Sequence, residues 1–509
     1  MKKIKLSSSK PGRALHWFRR DLRVSDNTAL YRASIFAREA NDSELLSIFI
    51  ISPDEWKRHS DAPIKIDLWM RSLKELQIEL KKYNIPLIIK TANKESDIPS
   101  LISRTCEELQ IDTVFINKEY EVDEQKRDNL VSDALVEASI KVLIFDDWCV
   151  APPNSVIAKS SGRTSTVFTP FKKRWFSVLN DNKHFMRVLP NPIKNPENRL
   201  DSSLFDDVVP PFVKGFELDP EYKQRAIKLY PAGEQIAISR LDEFIKLRIS
   251  NYKTARDIPS VPGTSILSPY LNGGIISSRT CLQRAFSLNH NKFESGNIGI
   301  DTWINELCWR DFYTHILFAF PHVSKSKPFN RKYDDLQWND NYELLDKWKQ
   351  GKTGYPIVDA AMRQLNTIGW MHNRLRMIVS SFLVKDLLQN WMDGEKYFME
   401  KLIDGNLASN NGGWQWSAST GTDSQPYFRI FNPSSQSLKF DKDGAFIKKY
   451  CPELKDMSAK YIHEPWKHFS KAQLEQIGYC APIVDHAEAR VIAIALFKNT
   501  MEAAKLQGK

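Results

Sequence analysis

Glu306, Trp309, Arg310 and Tyr313 fall three or four positions apart, a spacing that puts them on one face of a helix. A carboxylate that accepts from ring N–H groups, an indole that stacks and a guanidinium together suit a nucleobase. An Arg–Glu helix pair beside a core Trp would use the same residues. Further along, Met371, Leu375, Ile378 and Phe382 form an apolar stripe, with Asn373, Arg374, Arg376 and Met377 off it. Polar side chains at the start of a mostly apolar helix describe either a pocket edge or a solvated helix end. Residues 404–416 read DGNLASNNGGWQW. Gly405, Gly412 and Gly413 permit close backbone approach and unusual dihedrals; Asn410 and Asn411 suit a heteroaromatic edge, and Trp414 and Trp416 add π surface. A turn packed on its own indoles and a sugar-binding site share these ingredients. Residues 263–268 (GTSILS) place hydroxyls at an expected helix start, where free N–H groups bind phosphate or take a plain Ser/Thr cap.

Such side chains need elements to position them. Residues 1–147 alternate short apolar runs, at 14–18, 45–51, 87–90, 113–117 and 142–145, with amphipathic stretches. Over 66–80, Ile66, Trp69, Leu73, Leu76 and Leu80 share a helical face. Strands alternating with helices predict a doubly wound parallel sheet, a Rossmann-like α/β domain over 1–148. No Gly-x-Gly-x-x-Gly follows the first strand, so a conventional dinucleotide site is not supported there. Residues 149–230, rich in Pro, Ser, Asn and Lys, read as a long irregular linker. From 231 to 509 the pattern is helical, and over 303–320 and 370–388 apolar residues recur without strand-like alternation. An all-helical second domain is expected.

Composition narrows the function classes. A chain of 509 residues exceeds one ordinary core, and 42% hydrophobic with 26% charged residues describes a globular protein. Lys and Arg outnumber Asp and Glu by 72 to 62, a net charge of +10 that favours a polyanionic partner. The six cysteines form no Cys-x-x-Cys pair, so neither a metal site nor a disulfide framework is expected, and reduced thiols fit an intracellular protein. No signal-like segment and no run near ~18 apolar residues points to a membrane. Fourteen Trp are many for the length; packing uses most of them, and clustered indoles also suit stacking and electron transfer.

The segments HWFRRDLRVSDNTAL, GTSILSPYL, WINELCWRDFY, GKTGYPIVDAAMRQL, GWMHNRLRM and DGNLASNNGGWQWSASTGTD resemble, in that order, the DNA photolyase/cryptochrome family. GWMHNRLRM is similar to its class I cyclobutane-dimer photolyases. Members that repair (6–4) photoproducts carry a His pair around this helix, and plant cryptochromes usually have Asp where Asn373 stands. The resemblance implies a monomeric carbon–carbon lyase that splits cyclobutane pyrimidine dimers in UV-damaged DNA under light. A cryptochrome-type photoreceptor and a (6–4) photolyase are the alternatives within the family. A basic carbohydrate- or nucleic-acid-binding module is the alternative outside it. The expected compartment is the nucleus or mitochondrion of a eukaryote, or the cytoplasm of a bacterium.

The same resemblance implies site residues. FAD, active in its reduced anionic form, is expected at Tyr252, Thr264, Ser265, Ile266, Leu267, Ser268, Arg376, Asp404, Gly405, Asn406 and Asn410. Asp404 faces the flavin and pairs with Arg376, and Asn410 approaches N5. Asn406 stands where relatives often have Asp, which removes a charge. Glu306 and Asn373 act on the lesion, and Trp414, Trp391 and Trp338 match an electron relay. DNA is expected at Arg256, Glu306, Trp309, Arg310, Tyr313, Asn373, Arg374, Met377, Trp416, Arg429 and Gln436. A second, antenna chromophore, methenyltetrahydrofolate, is expected at His59, Glu124 and Lys325, although Ser324 stands where a folate-binding relative carries Cys.

Overall fold

Residues 13–40, 43–159, 161–196, 207–294 and 296–506 are described by the computed structural model; the basic N-terminus and part of the expected linker lie outside them. Five strands, β1 (Arg13–Phe18), β2 (Leu45–Ile51), β3 (Leu87–Thr91), β4 (Ile111–Asn117) and β5 (Lys141–Phe145), form one parallel sheet in the order β3-β2-β1-β4-β5. Side chains alternate across a strand. Leu15 and Trp17 of β1 join Ile48, Ile102 and Leu135 in a core on one face, under α3 (Ile98–Glu108) and α4 (Val122–Glu137). Ala14 and Phe18 point the other way, towards α1 (Thr28–Glu39) and α2 (Pro63–Lys81). Both faces are covered, which is why the inner strands read as unbroken apolar runs. The α/β expectation holds, as does the helical character of the remainder.

That second core does not stop at the domain edge. It runs from the sheet through Trp69 and Tyr252 to Ile300, Trp303 and Phe312 of the helical part. A separate core, with Trp348, Leu375, Phe382, Trp391, Trp414 and Phe497, fills the C-terminal half.

Among its described residues, the stretch read as an irregular linker contains two α-helices. α5 (Phe168–Asp181) buries Phe168, Phe171, Trp175 and Leu179, and the Trp175 indole donates to Asp311 at 2.9 Å. A second helix spans Pro220–Leu229, begun by an Asp219 cap and a proline. Composition concealed them: Pro170 sits in the first turn of α5, where proline is tolerated.

Buried charge joins the two halves. Arg279, on the helix Ser278–Leu288, donates to Asp147 at 2.6 Å and to Asp26 at 3.1 Å, and Arg23 also pairs with Asp147. All four residues are buried. Glu234 accepts from the backbone N–H groups of Val24 and Ser25 at 2.8 and 3.0 Å. Gly274 completes the junction with φ 59°, and a Cβ there would lie 2.0 Å from the Arg20 carbonyl oxygen, so only glycine fits. No helix among the described residues is long and apolar enough to cross a membrane.

Candidate functional site

α6 (Ile298–Ala319), capped by Asn297, carries the first set of expected residues. Glu306 ion-pairs with Arg256; burial pushes its carboxyl up, and Arg256 opposes that. Trp309 lies flat on Phe168 of α5, ring centroids 3.6 Å apart, and stacks on Tyr313 at 5.5 Å. Arg310 departs from the expected cluster. It donates to the Trp148 carbonyl at 2.7 Å and lies over the Trp148 ring at 4.2 Å, towards the sheet domain. Its partner comes from outside the helical half, so helix spacing alone mis-assigned it.

α7 (Asn373–Ser381) begins at His372, whose Nδ1 accepts from the Arg374 N–H at 3.2 Å. Burial pulls that imidazole down to about 4, so it stays neutral near pH 7. Asn373 is exposed beside the half-buried Met377. Arg374 donates to Asp257 at 2.9 Å and lies over Phe440 at 4.4 Å. Arg376 turns the other way, to the Met371 carbonyl at 2.8 Å and to both oxygens of the buried Asp404 at 3.0 and 2.8 Å. The expected Arg376–Asp404 pair is therefore formed.

The glycine-rich stretch is a helix rather than a turn. α9 (Leu407–Ala418) contains Gly412 and Gly413, and neither they nor Gly405 has positive φ, so the expected unusual dihedrals are absent. The close approach is present: a Cβ on Gly412 would strike the Tyr313 ring at 2.2 Å. Asn406 is the N-cap, accepting from the Ser409 N–H at 3.1 Å, a position that Asp and Asn fill equally well. Lys65 of α2 and Asn272 hold the Gly405 carbonyl at 2.9 and 3.0 Å. Asn410 and Asn411 donate to the Glu395 carbonyl and carboxylate, each at 2.9 Å, and burial pushes Glu395 up to about 7.

Thr264, Ser265, Ile266 and Leu267 precede a single helical turn, Ser268–Asn272, and no hydroxyl caps it, which corrects the expected cap. Ile266 has φ 50°; a β-branched residue in the left-handed region costs about 1–3 kcal/mol and marks a functional segment more often than chance. The Trp370 indole donates to Ser268 at 3.4 Å. Trp391 opens α8 (Trp391–Lys401), which packs on α9 and its Trp414. Trp414 meets Phe398 at 4.9 Å and Trp348 at 6.0 Å. Trp338 is half-buried against Phe497 at 6.2 Å. Trp416 is half-buried near Phe431, Arg429 is exposed, and Gln436 sits on the helix Pro433–Phe440.

Between the sheet domain and the helical half lies a cavity of about 630 Å³. His59, Glu124 and Lys325, more than 200 positions apart at the extremes, all line it, as does Ser324. His59 Nδ1 is 3.6 Å from Glu124, and the Ser324 hydroxyl is buried without a partner. Sequence reasoning missed the charged wall behind them, where Arg127 donates to Glu55 at 2.7 Å and Glu119 at 2.5 Å, and Arg20 to Glu121 at 2.6 Å. Glu55, His59 and Glu124 place ligand atoms within 4.8 Å of one another. Because the Arg127 cation is already bound to Glu55, this grouping offers a metal ion a poor field.

Two family models match the chain. DNA photolyase covers residues 14–193, and the FAD binding domain of DNA photolyase covers 303–499. A deoxyribodipyrimidine photo-lyase of Vibrio cholerae is 42% identical over 95% of this chain and 99% of its own. The chain belongs to the DNA photolyase family. Among solved family structures, a class III photolyase from Agrobacterium tumefaciens covers 98% of this chain and is itself covered in full, with 33% identity and a TM-score of 0.80. An archaeal photolyase from Sulfolobus tokodaii with two FAD molecules covers 96% of this chain and is 99% covered, at 29% identity and a TM-score of 0.74.

The residues present fit the family's flavin. Asn406 Nδ2 and Asn272 Oδ1 are buried without partners beside the held Gly405 carbonyl, and buried polar atoms of this kind are normally satisfied. Gly413 faces open space. A donor, an acceptor and an oriented carboxylate around one turn match the mixed edge of a heteroaromatic ring.

Proposed function

We propose that this chain splits cyclobutane pyrimidine dimers in UV-damaged DNA under light, acting as a deoxyribodipyrimidine photo-lyase with FAD. The near-complete two-way overlap with the Vibrio cholerae enzyme carries that reading. The chemistry FAD supplies when bound, in its reduced anionic form, is light-excited donation of one electron. The chain's own residues do the rest. Tyr252 and residues 264–268 would hold the phosphates, Asp404, paired with Arg376, would face the ring, and Asn410, fixed by the Glu395 carbonyl, is assigned to N5. Trp414 and Trp391, on packed helices, and the half-buried Trp338 are assigned to a relay that brings electrons to the flavin.

Arg256, Arg374 and Arg429 are assigned to phosphates flanking the lesion. Trp309, Asn373, Met377 and Trp416 line the space for the extruded dimer, a movement for which photolyases as a class are a known example. A damaged pair stacks poorly, which lowers the cost of extrusion. Irradiating the flavin-loaded protein with an oligonucleotide carrying one thymine dimer is expected to restore two thymines, while the dark sample stays unchanged. Flavin-loaded protein that leaves the dimer intact in both would overturn the reading.

The inter-domain cavity is assigned to methenyltetrahydrofolate. Its volume suits a ligand of that size. Glu124, buried beside His59 at 3.6 Å, would accept from the pterin amino group, and the exposed Lys325 would attract the glutamate tail. Adding this folate and exciting its band is expected to quench folate emission and drive repair. Glu124→Ala should weaken folate binding about tenfold, the cost of losing one hydrogen bond in a buried site. Unchanged affinity in the variant would move the assignment to a flavin-type antenna.

A further inference from the structure

Two of the three arginines assigned to DNA phosphates already have anions. Arg374 donates to Asp257 at 2.9 Å, and Arg256, the residue before Asp257, is paired with Glu306. The two pairs adjoin: the charge of Asp257 acts on Arg256, Glu306 and His372. Each arginine is also braced by a ring, Arg256 by Tyr252 at 5.5 Å and Arg374 by Phe440 at 4.4 Å. Asp257 is a third exposed, so its side chain can swing into solvent without leaving a buried charge behind.

We infer that Asp257 is an autoinhibitory counter-anion, a carboxylate that occupies Arg374 in place of a DNA phosphate and must be displaced before the chain grips a duplex. The inference rests on the DNA reading above. A phosphate entering the Arg374 position meets Asp257 as a competitor and as a like charge, and a phosphate at Arg256 must draw that cation from Glu306. Both exchanges cost the same on damaged and undamaged duplexes, so Asp257 lowers the affinity for both, and the extruded lesion adds its own contacts with Trp309 and Met377 on top.

Counterion release gives the test a readout that a structural role would not move. Lysine and arginine side chains that take up phosphate release ions, and the log–log salt slope grows by about 0.9 for each phosphate so neutralised. In the parent chain the displaced Asp257 carboxylate stays beside the phosphate and keeps a cation there, which offsets the cation that Arg374 frees from the DNA. In Asp257→Asn no carboxylate is left to hold one. Dissociation constants of the flavin-loaded full chain for undamaged and dimer-containing duplexes, measured in the dark across a salt series, decide the matter. Asp257→Asn is expected to steepen the slope on both duplexes by about 0.9, tighten the binding of both about threefold to tenfold at low salt, and leave the preference for the lesion near the parent value. Asp257→Glu, which keeps the anion, should restore parent behaviour.

Parent slope and affinity in Asp257→Asn would overturn the inference, as would equal weakening on both duplexes, which would make Asp257 a structural partner of Arg374. A parent chain that binds neither duplex would sink the DNA reading itself, an outcome visible before any variant is compared.

Discussion

Arg279→Ala is expected to lower the free energy of unfolding by about 3–5 kcal/mol, the usual cost of removing one partner from a buried ion pair. The arginine sits between two carboxylates from the other domain, Asp26 and Asp147, and all three are shielded from water. Alanine leaves the Asp26 carboxylate with no cation among the described residues, although Arg23 still donates to the Asp26 carbonyl, and leaves Asp147 with Arg23 alone. Domains of this kind have only about 5–15 kcal/mol to lose, so the denaturant midpoint should fall steeply and proteases should reach the inter-domain segment first. The pH profile supplies a second signature. Arg23 and Arg279 hold the Asp147 carboxyl well below the usual range, against the opposing effect of burial. A depressed folded-state value means stability that is present above about pH 3.9, the ordinary aspartate value, and lost as pH falls towards the folded one. The variant should show a shallower acid loss. An unchanged midpoint in denaturant would mean that the continuous apolar core, not the charge cluster, holds the halves together.

How much of this was legible before the structure depended on where each residue's partner lay. β1 to β5 were read within two residues at every end, because strands covered on both faces have no polar alternation to obscure them. α5 was missed although Phe168, Phe171, Trp175 and Leu179 recur at helical spacing; a window dominated by Pro, Ser and Lys outweighed the period. Residues 404–416 looked like a turn because Asn and Gly are frequent there. Their helix depends on the Asn406 cap and on Tyr313 filling the place of a Gly412 side chain, and the second of these is a tertiary fact. Arg310 shows the same limit, since helical spacing defines a face and cannot show that Trp148 waits beside part of it. His59, Glu124 and Lys325 carry no local pattern at all. Only the family resemblance put them together, and the Arg20, Arg127, Glu55 and Glu119 wall behind them stayed unseen because no window contains more than a fragment of it.

Glu306→Ala is expected to leave flavin binding near the parent level, to free Arg256 for DNA phosphate, and to slow ring opening by about tenfold or more, the ~1.5–3 kcal/mol of one hydrogen bond to a charged group. The interaction gains its strength when negative charge builds on the dimer, so it acts on the barrier more than on the bound ground state. Repair per absorbed photon should fall less than the opening rate, because opening competes with return of the electron. The protonation of Glu306 decides the form of the effect. An ionised carboxylate accepts hydrogen bonds and repels the developing charge, whereas the neutral acid donates to it. Burial already pushes this carboxyl up, and Arg256 is the chief opposing influence. When a phosphate takes Arg256, that opposition weakens and the acid keeps its proton to higher pH in the complex than in the free chain. Repair per photon should therefore be highest on the acid side and decline as pH rises through the value for the complex. Glu306→Gln, a neutral donor at every pH, should keep most of the parent's acid-side yield and lose the decline. A glutamine variant that repairs as poorly as alanine, or that keeps the parent's pH slope, would show that Glu306 acts as an acceptor that orients the lesion and not as the donor to its charge.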